Sequence, residues 1–528
     1  MSKQWSRRGN NRRNASRIAL QKPHGTLHPR VQKVGPEHFG IVCVDCAKGR
    51  SKWLLGDFYH KLFIEPTFVE HQRGQLNAMI LRIQELARQH QLHDLVVSIE
   101  RTGDYHLPVK RAFDAAEFVG RKFDTRIVHP FATKQHRQTA NPGDKTDDHD
   151  LAAMFRATVA GFGLQESPVD DLHRQLQLWA RHRRDLVQKR TAVCCQLREH
   201  LDAVLPGYAA LFDDLWDSAV ALRLARWVTD PAQCAPPVVA TWAARLRADR
   251  VRFQDRTLEK IATWAANAAA PDAQAATHHR ILIALDDDRL QKTREIQALE
   301  QELAQRLVQT PYVLLLSCPG INVVSAAELA GEMGLISNYA RANGISGRAG
   351  LYRSRYQSDE VDRQQGPLVR SCNRRLRAVL MMIADNLATC NTHYRGLAEL
   401  GKARGQDPRY VRTKIATRFT RVIFQLVAGR QVLRHPSQRD RDYILDKLLK
   451  FHQDHETPLP ALLADLQQAA AQLPVSSHAE EAAPLVAALE KNLAARRGVK
   501  PLRDILPLVL ARLGVGHLQS TDETREPH

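Results

Sequence analysis

Two apolar runs stand out near the start of the chain. Ile41-Val42-Cys43-Val44 stops at Asp45, and Leu95-Val96-Val97-Ser98-Ile99 stops at Glu100. Short runs apolar on both faces predict buried strands. Residues 52–58 and 62–68 alternate as strands that return across a sheet. Between the two runs, Leu76, Met79, Ile80, Ile83 and Leu86 recur at helical spacing, which predicts a helix over 72–91. Helices are also expected over 106–117 and 147–160, with a third short strand at Arg126-Ile127-Val128. A meander followed by strand–helix alternation fits an α/β sheet domain.

The pattern then changes. Over 168–205, Leu172, Leu176, Trp179, Leu186, Val193, Leu197 and Leu201 form one stripe, and over 278–309 Leu285, Ile296, Leu299, Leu303 and Leu307 form another. Two long stripes separated in sequence suggest a coiled-coil arm or a dimer seam. The alternative is core packing within one chain. Residues 206–275 are rich in Ala and Trp and read as helical, with a break at Asp230-Pro231. Residues 311–430 read as a compact, mostly helical unit, and residues 431–528 as a helical extension with Pro breaks at 458 and 460 and a disordered tail.

Charge adds a partner. Lys and Arg number 76 against 57 Asp and Glu, a net charge of +19 over 528 residues. That excess favours a polyanion, because each neutralised phosphate releases counterions. Residues 1–36 hold nine Lys or Arg and no Asp or Glu, so 1–37 reads as a disordered basic arm. No apolar run approaches the roughly 18–20 residues of a membrane span, and the N-terminus lacks the apolar core of a secretory signal. Eight scattered cysteines, with no second pair beside Cys43 and Cys46, point to a reducing, cytoplasmic setting rather than to a zinc site.

The candidate chemistry lies in four acids. Side chains alternate along a strand, so Asp45 shares a face with Cys43, and Glu100 with Ser98. If the strands are neighbours, both acids stand at one sheet edge. Lys145-Thr146-Asp147-Asp148-His149-Asp150 opens a helix, and Asp147 and Asp150, three apart, project from one helical face. Four converging carboxylates repel one another unless cations neutralise them. Mg²⁺ prefers such hard oxygen ligands, and two ions about 4 Å apart clamp the attacking and leaving oxygens of a phosphodiester. Each acid alone has a plainer reading: an Asp after a strand caps a turn, and Asp147 sits where an N-cap would.

A second basic region follows. Arg353, Arg355, Arg363, Arg370, Arg374, Arg375 and Arg377 crowd one stretch, and forked guanidinium groups suit phosphate oxygens. The turn Cys318-Pro319-Gly320-Ile321-Asn322 precedes an Ala-rich helix over 325–331 and offers backbone N–H groups to a phosphate, or simply joins two helices. A serine among these arginines attacks a phosphodiester only if its proton is removed and the pentavalent charge is stabilised. On composition alone Ser358 is a surface serine.

Here the chain resembles the insertion sequence 110 family of transposases. Val44-Asp45-Cys46-Ala47-Lys48 is similar to the family's opening strand motif, and Glu100-Arg101-Thr102-Gly103-Asp104-Tyr105 to its acidic strand end. His129-Pro130 stands where the family usually has Asn-Pro, and Lys145-Thr146-Asp147 with Asp150 matches its Lys-Thr-Asp-x-x-Asp signature. Pro319-Gly320-Ile321, the turn Ala349-Gly350-Leu351, Gln357-Ser358 and the helix opening Asn373-Arg374-Arg375-Leu376-Arg377 follow in the family's order. The chain departs from the pattern in further places: Asp359 replaces the glycine after the serine, and Leu368-Val369-Arg370-Ser371-Cys372-Asn373 stands for the usual Ile-Ser-Lys-x-Gly-Asn.

The resemblance covers roughly residues 38–430. It implies a ribonuclease H-like, RuvC-like DEDD domain over 38–165, a helical coiled-coil region over 166–310, and a transposase domain over 311–430. Asp45, Glu100, Asp147 and Asp150 would be catalytic ligands of Mg²⁺, with Mn²⁺ as the alternative ion, and Ser358 the nucleophile. Lys145, Gly320, Arg353, Arg355, Arg363, Arg370, Asn373, Arg374 and Arg377 would contact nucleic acid. The implied reaction is DNA cleavage and strand exchange through a phosphoserine link. The implied partners are donor and target DNA, a non-coding bridge RNA whose base pairing reads sequence, and further copies of the chain as a dimer or tetramer. The acids of one protomer would meet the serine of another, in a cytoplasmic, nucleoid-associated setting. A metal-dependent Holliday-junction-type nuclease needs the four acids but not Ser358. A non-catalytic nucleic-acid-binding descendant needs neither.

Overall fold

The two apolar runs are adjacent parallel strands at the centre of a sheet. A computed structural model describes residues 26–166, 170–216, 218–234, 236–358, 361–363, 366–433 and 444–473. The chain divides into two compact units, residues 1–167 and 168–528.

The first unit is built on strands β1 (Phe39–Cys46), β2 (Arg50–Asp57), β3 (Leu62–Glu70), β4 (Asp94–Glu100) and, beyond the two-residue strands β5 (Glu117–Phe118) and β6 (Arg121–Lys122), β7 (Asp124–Val128). The sheet order is β3-β2-β1-β4-β7. β1 runs antiparallel to β2 and parallel to β4, which is parallel to β7. This is a mixed α/β sheet of ribonuclease H-like type, as expected.

Helices α1 (His28–Val34), α2 (Arg73–Gln89), α3 (Leu107–Ala115), α4 (Pro130–Ala140) and α5 (Asp147–Val159) cover it. Period-2 alternation sorts the strand residues between two cores. Val42, Val44, Val97 and Ile99 pack with residues of α2 and α3. Ile41, Cys43, Val96 and Val128 pack with Leu151, Met154 and Phe155 of α5.

The basic arm expected over 1–37 ends earlier than that. Residues 1–25 lie outside the described residues, but α1 is a folded part of the sheet domain. Leu27 and Val31, one helical turn apart, are buried against Phe39 and Ile41. Arg30 pairs with Asp94 at 2.6 Å and also with Asp124, which ties α1 to the starts of β4 and β7.

The second unit is helical. α6 (Asp171–Val204) and α10 (Ala275–Leu307) are its longest elements. They pair antiparallel within one chain: Arg306 meets Gln175, Arg183 meets Glu300, and His200 meets His278. The apolar stripes therefore face each other, with Leu186 against Ile296 and Leu299 midway along. Between them α7 (Ala221–Ala225), α8 (Pro236–Ala248) and α9 (Asp255–Ala265) form a cap with its own core around Tyr208, Leu246 and Ile261.

After α10 come α11 (Val323–Met333), α12 (Ala342–Arg348), a hairpin of β8 (Tyr356–Ser358) and β9 (Val361–Arg363), α13 (Arg374–Cys390), α14 (Thr392–Ala403) and α15 (Pro408–Ala428). The extension contributes α16 (Ile444–Asp454) and α17 (Leu459–Gln472) to the same core, through Leu448, Leu449, Leu462 and Leu466. The tail expected to be disordered lies outside the described residues. No helix among the described residues is long and apolar enough to cross a membrane.

Candidate functional site

Asp45 and Glu100 come together as their strand positions require. Val44 is in register with Ile99, so the two acids are the next residues on neighbouring parallel strands, on the face covered by α5. α5 is fastened to that face from within. The buried Thr158 hydroxyl lies 2.8 Å from Ser98 Oγ and donates to the Met154 carbonyl at 2.8 Å. Thr146 caps the helix by accepting from the His149 amide at 3.2 Å, which fixes where the Asp147 turn begins.

The two strand acids sense their acidic neighbours. Burial, then the charges of Asp147 and Asp150, push the Asp45 carboxyl above its ordinary range. Burial, then Asp45, push Glu100 up to about 7. The Asp45–Glu100 pair therefore holds a proton where isolated carboxyls would have lost theirs. Lys145 is the favourable charge on Asp45. Asp150 is held by Arg137 of α4 at 2.8 Å, and Lys52 of β2 pairs with Asp148.

Among the described residues, no three His, Cys, Asp or Glu side chains gather closely enough to form a coordination cluster. The two strand acids are in contact, whereas Asp147 and Asp150 act on them at longer range. The donor set nonetheless fits a hard cation. It is all oxygen, and a cation would take the place of the proton that the strand pair retains. Cys43 and Cys46 are buried strand residues, as their spacing without a second pair led us to expect.

The other candidate region lies wholly in the second unit. Ser358 ends β8 and is in backbone register with Val361; Asp359 lies outside the described residues. Arg363, in β9, pairs with Tyr356. The hairpin grows from a tied base. Arg377 donates from Nε to the Ala349 carbonyl at 2.8 Å and from Nη2 to Gly350 at 3.2 Å, to Val369, and to Cys372 Sγ at 2.8 Å. Gly350 has φ +62°, and a Cβ there would lie 2.3 Å from Arg377 Nη2, so a side chain is excluded twice over. Asn373 caps α13 by accepting from the Arg375 and Leu376 amides, both at 3.0 Å, and donates to Glu332 at 3.0 Å.

Residues proposed from sequence as nucleic-acid contacts thus divide. Arg377 and Asn373 hold the hairpin's base. Gly320, at φ +92°, lets the turn approach the backbone of α13, where its Cβ would sit 3.2 Å from the Asn386 carbonyl oxygen. Arg353 stacks over Tyr410 at 5.1 Å. Lys145, Arg355, Arg370 and Arg374 are exposed. Sequence reasoning passed over α4, which supplies Arg137. Its signal was present in His129-Pro130, since His129 caps the helix, accepting from the Phe131 amide at 3.1 Å, and Pro130 opens it.

Comparison with known proteins gives two family matches, in the order that the resemblance implied. A DEDD-type transposase family model matches residues 42–206, the first unit from β1 onward and the whole of α6. A second model, transposase IS116/IS110/IS902 family, matches residues 312–399, from the turn before α11 into α14. No curated protein matches the chain. The DEDD match carries a general dependence on divalent metal. The two matches, in this order along one chain, support the IS110 family of transposases and a transposase or recombinase function acting on DNA.

Proposed function

We propose that the protein is a recombinase that cuts and rejoins DNA through a phosphoserine link at Ser358. The observation that carries this reading is the placement of Asp45 and Glu100 side by side at one sheet end, with Asp147 and Asp150 near enough to raise Asp45, in a chain that also matches the family's second domain. The four acids would hold Mg²⁺ or Mn²⁺, which when bound supplies Lewis-acid stabilisation of charge on phosphate oxygens.

The residues perform the rest. Ser358 Oγ forms a bond to phosphorus, and the bond from phosphorus to the leaving strand's oxygen breaks. The serine's proton is lost to a base and the leaving oxygen gains one. Attack by the exchanged strand's hydroxyl reverses these steps, so the phosphodiester is remade without net hydrolysis. Ser354 is the nearby competitor, but its hydroxyl already donates to the Pro367 carbonyl at 3.1 Å. Exposed Arg355, Arg370 and Arg374 would meet phosphates. A structured non-coding RNA of the element would guide target choice by pairing, and the working form would be a homo-oligomer.

The test is to incubate the protein with divalent cation, the element's RNA, and donor and target DNA, and to look for a covalent protein–DNA adduct. Its loss in Ser358→Ala and in Asp147→Ala supports the reading. Cleavage that persists in Ser358→Ala favours the second reading, a metal-dependent junction nuclease. That reading has its own support, because the four acids all lie in one compact unit and Ser358 in the other.

A further inference from the structure

Residues 207–311 lie between the two family matches, and the helical cap they build holds an open cleft of about 670 Å³. Its walls come from the segment around α7, the loop after α8, and α10. Three of its arginines are spent internally. Arg223 pairs with Asp249 at 2.9 Å, Arg226 with the buried Asp286 at 2.9 Å and with Asp287 at 2.8 Å, and Arg289 with Asp286 at 2.8 Å. Three carboxylates thus balance three guanidinium groups.

Arg250 and Arg252 are left. Both are exposed on the lining, and neither has an ion pair among the described residues.

The position of Arg250 is informative. α8 ends in a Schellman turn: the Val251 amide donates to the Leu246 carbonyl at 2.9 Å, and the Arg250 amide to Arg247 at 3.0 Å. The residue at Arg250 must then adopt left-handed backbone, and it does, at φ +56°. Glycine is the comfortable residue there, and a long side chain is not.

Aromatic rings share the surface. Trp216 and Trp227 line the cleft, with Arg245 stacked on Trp227 at 4.0 Å and Arg247 over Phe253 at 5.4 Å. Uncompensated arginines interleaved with aromatic rings, in an open cleft, suit a single strand, whose phosphates meet the guanidinium groups while bases meet the rings.

We propose that this cleft binds a single-stranded segment of nucleic acid, with Arg250 and Arg252 on its phosphates. This contact is additional to those of the two matched regions and does not depend on the Ser358 chemistry. The ligand chemistry is a phosphodiester chain, supplied by RNA or by DNA.

The test uses full-length protein and fluorescent 20-nucleotide oligo(U) and oligo(dT), read by anisotropy across a salt series. The variant is Arg250→Gly with Arg252→Gln. Glycine suits the left-handed position, so the variant should melt no lower than the parent. Binding should weaken at least five-fold at 0.15 M salt. The slope of log Kd against log salt should fall by about 1.4, two contacts at roughly 0.7 each. A loss seen only with oligo(U), or only with oligo(dT), supports the cleft and names the strand. Affinity within two-fold of the parent for both, with an unchanged slope, overturns the proposal. So does a variant that loses binding to an acidic peptide while keeping both oligonucleotides.

Discussion

Asn373 joins two helices through opposite ends of one amide: its Oδ1 caps α13, and its Nδ2 donates to Glu332 of α11 at 3.0 Å. Glu332 is buried, yet hydrogen bonds from Arg181 at 2.8 Å and from Asn373 hold its carboxyl below the ordinary range against the desolvation that opposes them. The link runs from α6, through α11, to the helix that anchors the serine hairpin. Asn373→Ser should retain the cap and lose only the second bond. Asn373→Asp should retain the cap but place a second charge beside a buried carboxylate. Urea unfolding at pH 7 should therefore rank Asp below Ser, by about 1–3 kcal/mol. Equal stability of the two variants would remove the Glu332 contact from the account.

Gly350→Ala should damage the hairpin's base. The added methyl meets Arg377 at a backbone angle that L-residues avoid. A loss of at least about 2 kcal/mol is expected, from strain and from the displaced guanidinium together. Gly347→Ala, in α12 where a Cβ meets nothing within 4 Å, is the control and should be neutral or slightly stabilising.

Asp45 and Glu100 should burden the fold, because burial and neighbouring acids oppose their charge. Asp45→Asn removes one of two coupled carboxyls and the repulsion that raises them. In EDTA the variant should melt higher than the parent by a few degrees, on the order of 1 kcal/mol. Added Mg²⁺ should raise the parent's melting temperature and leave the variant's unchanged. A variant that melts lower in EDTA would show that Asp45 stabilises the fold rather than burdening it.

A pH-dependent contact ties the extension to α10. Burial opposes charge on both partners, yet their 2.7 Å hydrogen bond holds His455 above its ordinary 6.5 and Glu300 below its ordinary 4.5. The histidine's contribution is full below 6.5 and is lost as pH rises through its raised folded value. The glutamate's is full above 4.5 and is lost as pH falls through its lowered value. Glu300→Gln should therefore cost more at pH 5.5 than at pH 8.5, measured by denaturant midpoint. An equal cost at both values would mean that the pair does not titrate between them.

The sheet and its two acids were legible because β1 and β4 are buried on both faces. They therefore appear as short, nearly continuous apolar runs, each followed by an acidic residue at or next to the strand end. α5 was legible from its acidic first turn. What escaped was structure made by polar residues. In α4, few apolar positions signal the helix that carries Arg137 to Asp150. Arg377 reads in sequence as one more phosphate contact, but its donors point at carbonyl oxygens brought near by the fold. The stripes of α6 and α10 could equally have joined two chains, and only their pairing within one chain decides between the readings. Four arginines between residues 245 and 252 were passed over because nothing in the sequence sets them apart from a solvated helix end.

The phosphoserine link is tested by mapping the DNA adduct by mass spectrometry after trapping a reaction with divalent cation, RNA and DNA. A phosphoserine mechanism gives one modified serine, Ser358, and no adduct when Asp45, Glu100, Asp147 or Asp150 is replaced by its amide. An adduct on Ser354, or full cleavage with no adduct at all, would contradict it.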